Sequence, residues 1–299
     1  MTALEKLLPL THLDLTRIQT LAFAGGGNRC WWQGGVLEHL FSQGWTLPRQ
    51  LVGTSAGAAV AAACLSAGPM AAFEACRQLY AHNHQLWDWR GLGRFKLSFA
   101  HQQIYPAWLS SFVNEAHFDA IRRSGSELLV AVTHPARWLG LRGSVAAASL
   151  AYVLDKKWLH SIHPQLPRFM GLKQGFYKLG QCASAAEAMQ LLQGAGAALP
   201  FMPAQHMAGR WLLDGGYTDN APLPAQTPAE QATTLVLLTR HYPKLPALFQ
   251  WRGRQYWQPS QPVPVSTWDC RPHTAIGQAY ELGVQDAKAC MVQLKLGLS

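Results

Sequence analysis

This chain has little charge. Charged residues fill 14% of its 299 positions, and acidic ones are the scarcer: 16 Asp and Glu against 25 Lys and Arg, a formal net charge of +9. With 49% of residues hydrophobic, so low a charge content excludes a disordered chain and supplies apolar surface for a sizeable core. There is no internal repeat and no low-complexity linker, so a single domain over residues 1–299 is the expected organisation. The six cysteines (Cys30, Cys64, Cys76, Cys182, Cys270 and Cys290) form no CxxC pair and no paired spacing with histidine. That argues against a zinc site and a disulfide framework, and fits a reducing compartment. "HNH" at 82–84 lacks a third metal ligand nearby.

Export and membrane-spanning signals are also wanting. The start, "MTALEKLLPLTHLDL", carries acidic residues, has a proline within its apolar part and lacks a small-residue cleavage site, so it does not read as a signal peptide. The uncharged stretch from Gln50 to Phe73 is mostly Ala and Gly and is broken at Gly68-Pro69. It reads as a buried strand and a buried helix rather than a membrane span. The expected location is the cytoplasm, with peripheral membrane contact.

The positive balance favours anionic partners. Basic residues are scattered, and their denser runs alternate with aromatic rings, as in "WDWRGLGRFKLSF" (87–99) and "FQWRGRQYW" (249–257). This mixture suits an anionic membrane surface better than nucleic acid. Nothing in the sequence sets an oligomeric state.

The pattern along the chain is α/β. "IQTLAFA" (18–24), "RQLVG" (49–53), "ELLVAVTH" (127–134) and "TTLVLLTR" (233–240) read as strands. "RCWWQGGVLEHLFSQG" (29–44) reads as a helix closing at Gly44, and "SAGAAVAAACLSAG" (55–68) as the next. "SAAEAMQLLQG" (184–194) opens with Ser184 and Glu187 in capping-box spacing. Strands alternating with helices predict a largely parallel sheet with both faces covered. Residues from about Trp87 to Ser124 and from Tyr242 to Pro264 are expected to be loops or insertions around the core.

Three glycine clusters stand out. "AFAGGGNRC" places Gly25, Gly26 and Gly27 after the first strand, where backbone must bend sharply or approach a ligand closely. "GTSAG" (Gly53–Gly57) matches G-x-S-x-G between a strand and a helix, which puts Ser55 on a tight turn at a helix N-terminus. "WLLDGGYTDNAPLP" brings Asp214 to a strand end ahead of Gly215 and Gly216. Alone, each also fits an ordinary turn. Together, in this order and spacing over about residues 18–240, they resemble the patatin-like phospholipases. Residues 194–223, with Asn220 and Pro222 after the aspartate, resemble that family's approach to its catalytic acid.

The resemblance implies a three-layer αβα sandwich with a mostly parallel central sheet, and a C-terminal extension over about 241–299 packing on the core. It implies a Ser-Asp dyad acting on fatty-acyl esters, with Ser55 as nucleophile and Asp214 as base. Gly25, Gly26 and Gly27 would form the oxyanion hole, with Arg29, Gly53, Gly57, Gly215 and Gly216 as supporting motif residues. It implies neither metal nor cofactor, and a lipid or membrane-surface substrate. Two positions depart from the family pattern: Ala24 precedes the triple glycine, and Cys30 follows the arginine. Two other readings stand beside it. One is a Ser-His-Asp esterase of α/β-hydrolase type using His241 or His273, although only one clear strand precedes the elbow. The other is a non-catalytic member that binds lipid or protein. A dinucleotide-binding reading of "GGGNRC" fails because Cys30 replaces the last glycine and no strand-end acid follows at the expected distance.

Overall fold

Hydrophobic runs of four or five residues become the central strands, and their alternation decides which helix layer each side chain meets. The structure, a computed structural model, describes residues 7–88, 98–155, 158 and 161–296. Its strands are β1 (Leu8–Pro9), β2 (Thr20–Phe23), β3 (Gln50–Thr54), β4 (Trp87–Asp88), β5 (Ser98–Phe99), β6 (Glu127–His134), β7 (Lys173–Lys178), β8 (Gln205–Met207), β9 (Arg210–Asp214), β10 (Thr234–Leu237), β11 (Leu248–Trp251) and β12 (Arg254–Trp257). β4 and β5 pair only with each other; the rest form one sheet in the order β1-β11-β12-β10-β2-β3-β6-β9-β8, with β7 also on β6. The middle of the sheet, from β12 through β10, β2 and β3 to β6, is parallel. Both flanks are antiparallel.

The helices are α1 (Trp31–Ser42), α2 (Ala56–Cys64), α3 (Pro69–Ala81), α4 (His101–Ser110), α5 (Glu115–Arg123), α6 (Gly140–Leu154), α7 (Leu166–Phe169), α8 (Ala185–Ala195), α9 (Pro228–Ala232) and α10 (Ile276–Leu296). Leu21, Phe23, Leu51, Val130, Leu235 and Leu237 point into a large core shared with α1, α2, α3, α8 and α10. The intervening Ala22, Val52, Leu129 and Val236 face a thinner core covered by Ile162, Ala221, Phe249 and Tyr256. Period-two alternation thus buries both faces, as a sandwiched sheet requires.

Helix ends follow local chemistry. At the end of α1, Gly44 (φ 82°) donates to Phe41 and Trp45 donates to Leu40, which satisfies two terminal carbonyls in a Schellman arrangement. At the start of α8, Ser184 accepts from the Glu187 amide at 3.2 Å, but the Glu187 carboxylate reaches back one residue further than a capping box, to the Ala183 amide. In α1 and α10 the sequence supplies glycines where backbones meet. A Cβ on Gly35 would strike the Tyr280 carbonyl, and one on Gly283 would strike the Trp32 carbonyl. The Trp32 indole then donates to buried Asp286 at 2.7 Å, which fixes the docking of α10.

Two expectations are corrected. Residues 98–124 are not a loop: α4 and α5 occupy most of them, α5 with Asn114 as N-cap accepting from the His117 amide at 3.1 Å. Residues 242–264 are not a peripheral insertion either, because β11 and β12 form a hairpin inside the main sheet. That hairpin also buries Phe249, Tyr256 and Trp257 of "FQWRGRQYW", and leaves Trp251 half-buried beside exposed Arg252 at its turn. Most of the other basic-aromatic stretch, residues 89–97, lies outside the described residues.

Candidate active site

The site begins with a register. β3 pairs with β6 as far as Thr54 opposite Ala131, and β7 occupies the other edge of β6 from Leu129 to His134. Where β3 stops, β9 takes over the same edge from the opposite direction, with Asp214 opposite Val132. One rung of β6 therefore separates Thr54 from Asp214, and the residue after Thr54 is Ser55.

Ser55 leaves the strand with φ 54° and ψ −134°, in the left-handed half of backbone space that serine seldom adopts. The turn closes because its flanking glycines carry no Cβ. One on Gly57 would lie 2.5 Å from the Ala24 carbonyl oxygen, and one on Gly53 would press into the Ala58 Cα. α2 starts at the next residue, which directs its N-terminal amides toward the serine.

The Ser55 hydroxyl donates to Asp214 Oδ2 at 2.6 Å, and the Gly216 amide donates to Oδ1 at 2.7 Å. Both side chains are buried. Burial raises the Asp214 carboxyl to about 6, opposed by the two hydrogen bonds that favour its charged form. It is therefore ionised at neutral pH yet more basic than an ordinary carboxylate.

The glycine loop packs against this pair. Gly25 donates its amide to the Asn220 carbonyl at 2.7 Å, and its own carbonyl accepts from the Thr239 hydroxyl. An amide already committed in this way is not available to an oxyanion, so the expectation for Gly25 is corrected. The amides of Gly26 and Gly27 have no acceptor among the described residues, and both glycines line a cavity with Ser55 and Asp214. Gly27 has φ 55°, and a Cβ there would strike the Thr267 carbonyl. Arg29 braces the loop, its Nε 3.4 Å from the Gly26 carbonyl, while lining the same cavity. Gly215 lies against the Ala131 carbonyl, where a Cβ would come within 2.6 Å. The two departures from the family pattern touch each other, with the buried Cys30 thiol 3.5 Å from the Ala24 carbonyl.

Residues 21–225 match the family model for patatin-like phospholipase. This chain belongs to that family. Among solved structures it is similar to VipD from Legionella pneumophila, at 13% sequence identity and a TM-score of 0.40, covering 79% of this chain and 51% of that one. The chain thus spans about half the length of that structure. No curated protein matches it.

Around Ser55 and Asp214 lie two cavities. A narrow one of about 60 Å³ runs from Ser55 between apolar and aromatic side chains, among them Trp31, Val60, Ile104, Tyr105, Trp108 and Met202. A wider one of about 240 Å³ joins Ser55 and Asp214 to Gly26, Gly27, Arg29 and the outer residues Ser149, Tyr152 and Val153. Ser55 is where they meet.

Neither histidine of the alternative reading is at this site. His241 Nδ1 lies 2.9 Å from the Pro259 carbonyl, and exposed His273 lies 3.2 Å from Asp269. Among the described residues, no histidine is hydrogen-bonded to Ser55 or Asp214, and no group of three His, Cys, Asp or Glu side chains is placed to hold a metal. His82 of "HNH" lies at the end of α3 with Nδ1 2.8 Å from the Gln78 carbonyl.

Sequence reasoning missed the residues that hold the loop from outside the motifs. Asn28 donates its side-chain amide to the Ser266 and Asp269 carbonyls (2.9 and 2.7 Å), accepts from the Tyr80 hydroxyl (2.7 Å), and donates its backbone amide to Thr267. Thr267 and Trp268 line both cavities. They lie beyond the family match, so no motif pointed to them. The one signal was Asn28 itself, a polar residue between the triple glycine and the helix that follows.

Proposed function

We propose that this chain is a serine lipid acyl hydrolase that cleaves fatty-acyl esters of phospholipids through a Ser55–Asp214 dyad. The observation that carries the reading is the 2.6 Å hydrogen bond from Ser55 to a buried carboxylate, at the junction of an apolar slot and a wider, arginine-lined cavity. Family membership supports lipid acyl hydrolysis in general; the dyad and the phospholipid are drawn from the site.

In this reading the acyl chain enters the apolar slot and its carbonyl carbon stops at Ser55. As the serine oxygen attacks, Asp214 takes its proton, and the amides of Gly26 and Gly27 meet the negative charge that develops on the carbonyl oxygen. Asp214 then returns the proton to the leaving alcohol. Water, activated by the same carboxylate, releases the fatty acid in a second step. The Arg29 guanidinium, in the wider cavity beside the loop, suits the phosphate of the leaving half.

The test is fatty-acid release from phosphatidylglycerol vesicles, followed by mass spectrometry for wild type and Ser55→Ala. The expected result is release by wild type and none by the variant. Release by Ser55→Ala at the wild-type rate contradicts the assignment. A folded wild type that cleaves neither phospholipid nor p-nitrophenyl butyrate contradicts the activity.

A further inference from the structure

α6 is built inside out. It buries small residues, Ser144, Ala148 and Ala151, and turns the larger Leu150, Tyr152 and Val153 outward, each roughly half exposed. Beside it stand two rings with little cover: Trp138 is 74% exposed and Phe169, at the end of α7, is 85% exposed. They belong to one face. The Trp138 indole lies against Gly171, two residues past Phe169, and α7 packs on α6. Water is a poor neighbour for so many large apolar groups left exposed on two packed helices and at Trp138 ahead of them.

The same segment carries the chain's charge bias in concentrated form. From Arg137 to Lys173 the sequence has six Lys and Arg (Arg137, Arg142, Lys156, Lys157, Arg168, Lys173) against one acid, Asp155. Asp155 is buried, whereas Arg137, Arg142 and Lys173 are exposed. Arg168 is half exposed and 3.7 Å from buried Asp219. The face is also continuous with the site, because Tyr152 and Val153 line the wider cavity with Ser55 and Asp214.

We infer that the face formed by Trp138, α6 and α7 docks on an anionic phospholipid bilayer, with Trp138 and Phe169 as interfacial anchors and the cavity mouth turned to the lipid. Aromatic rings at headgroup depth, flanked by Lys and Arg, answer both requirements of such a surface. Docking this way delivers a lipid's acyl chain to the slot without its crossing bulk water. The inference rests on the phospholipid reading, and locates membrane contact on a face other than the β11–β12 hairpin at 249–257.

The experiment uses the full chain carrying Ser55→Ala, so that vesicles survive the measurement. Vesicles of phosphatidylcholine with 30 mol% phosphatidylglycerol, about that composition, are sedimented at low and high salt. Trp138→Ser with Phe169→Ser is expected to weaken binding by about tenfold or more. Arg142→Glu is expected to weaken it at low salt only. Leu8→Ser, which alters an exposed apolar residue on the far edge strand, is expected to leave it unchanged.

In the catalytic background, the Trp138/Phe169 double variant should hydrolyse soluble p-nitrophenyl butyrate as wild type does, which shows that the fold is intact. Unchanged vesicle binding by the double variant overturns the inference. So does a patch that instead drives concentration-dependent dimerisation in sedimentation velocity while vesicle binding is unaffected. Failure of wild type on the soluble ester counts against the hydrolase reading alone, since binding by the Ser55→Ala chain does not depend on turnover.

Discussion

The amide of Gly25 donates to the carbonyl of Asn220 at 2.7 Å, which ties the glycine loop to the segment just past Asp214. Two of the three sequence clusters are thus one mechanical unit, and the three glycines have different tasks. Gly25 joins the loop to the acid's segment; Gly26 and Gly27 present the amides left over.

That division predicts unequal mutants. A Cβ on Gly25 would lie 3.1 Å from the Ser55 Cβ, 3.2 Å from Asn220 Oδ1 and 3.3 Å from the Thr54 carbonyl. These tight contacts ask a few tenths of an ångström of Ser55, whereas Gly27 has both a positive φ and the Thr267 carbonyl in the way. Gly27→Ala is expected to lower kcat by about 10²-fold or more, the scale of a lost oxyanion donor. Gly25→Ala should lower it less, by the small shift it forces on Ser55. Steady-state kinetics on p-nitrophenyl butyrate checks the order, and a reversed ranking removes the distinction.

In the proposed mechanism Asp214 sets the acid limb of the pH profile. The base must be ionised, and burial raises its carboxyl to about 6. The rate should therefore fall as pH drops through about 6. Stability runs the other way: the folded carboxyl holds a proton where the unfolded one has lost it, so this group's contribution to stability decreases as pH rises from the ordinary carboxylate range to about 6. Rates and denaturation midpoints between pH 4.5 and 8 test both signs. An acid limb that persists unchanged in the residual activity of Asp214→Asn assigns it to another group.

Histidine is dispensable in this account. His241 and His273 are hydrogen-bonded elsewhere, so replacing either by Ala should keep kcat within about tenfold of wild type. A true general base contributes about 10²–10⁴-fold. A collapse in either mutant, with an unchanged circular-dichroism spectrum, restores the triad reading.

Asn28 is the joint between the glycine loop and residues 266–269. Asn28→Ala leaves the Ser266 and Asp269 carbonyls and the Tyr80 hydroxyl each short of a partner in a partly buried joint. The expected cost is about 1–3 kcal/mol by denaturant unfolding, with kcat reduced as the loop loosens. Full activity in a strongly destabilised variant would separate the joint from the chemistry.

The parts of this molecule written as local pattern were legible in its sequence. Apolar runs ending at glycine marked β2 and β3, apolar runs bounded by polar residues marked β6 and β10, and Gly53 and Gly57 marked a turn whose geometry tolerates no Cβ. Asp214 was visible as a strand-end acid, but the register on β6 that sets it beside Ser55 is a long-range fact no local window contains. α4 was hidden by Pro106 and a polar first turn, and β11–β12 by the prolines around them. Gly25's engagement with Asn220 was hidden because a run of three glycines looks the same whichever amide is used.

The most direct measurement is the rate at which a fluorophosphonate labels Ser55 in wild type and in Asp214→Asn, with the site of labelling read by peptide mass spectrometry. Asp214→Asn preserves size and most hydrogen bonding but removes the base. The account predicts labelling at Ser55 in wild type and a rate slower by about 10²-fold or more in the variant. Labelling of Asp214→Asn at the wild-type rate, or of a serine other than Ser55, would contradict it.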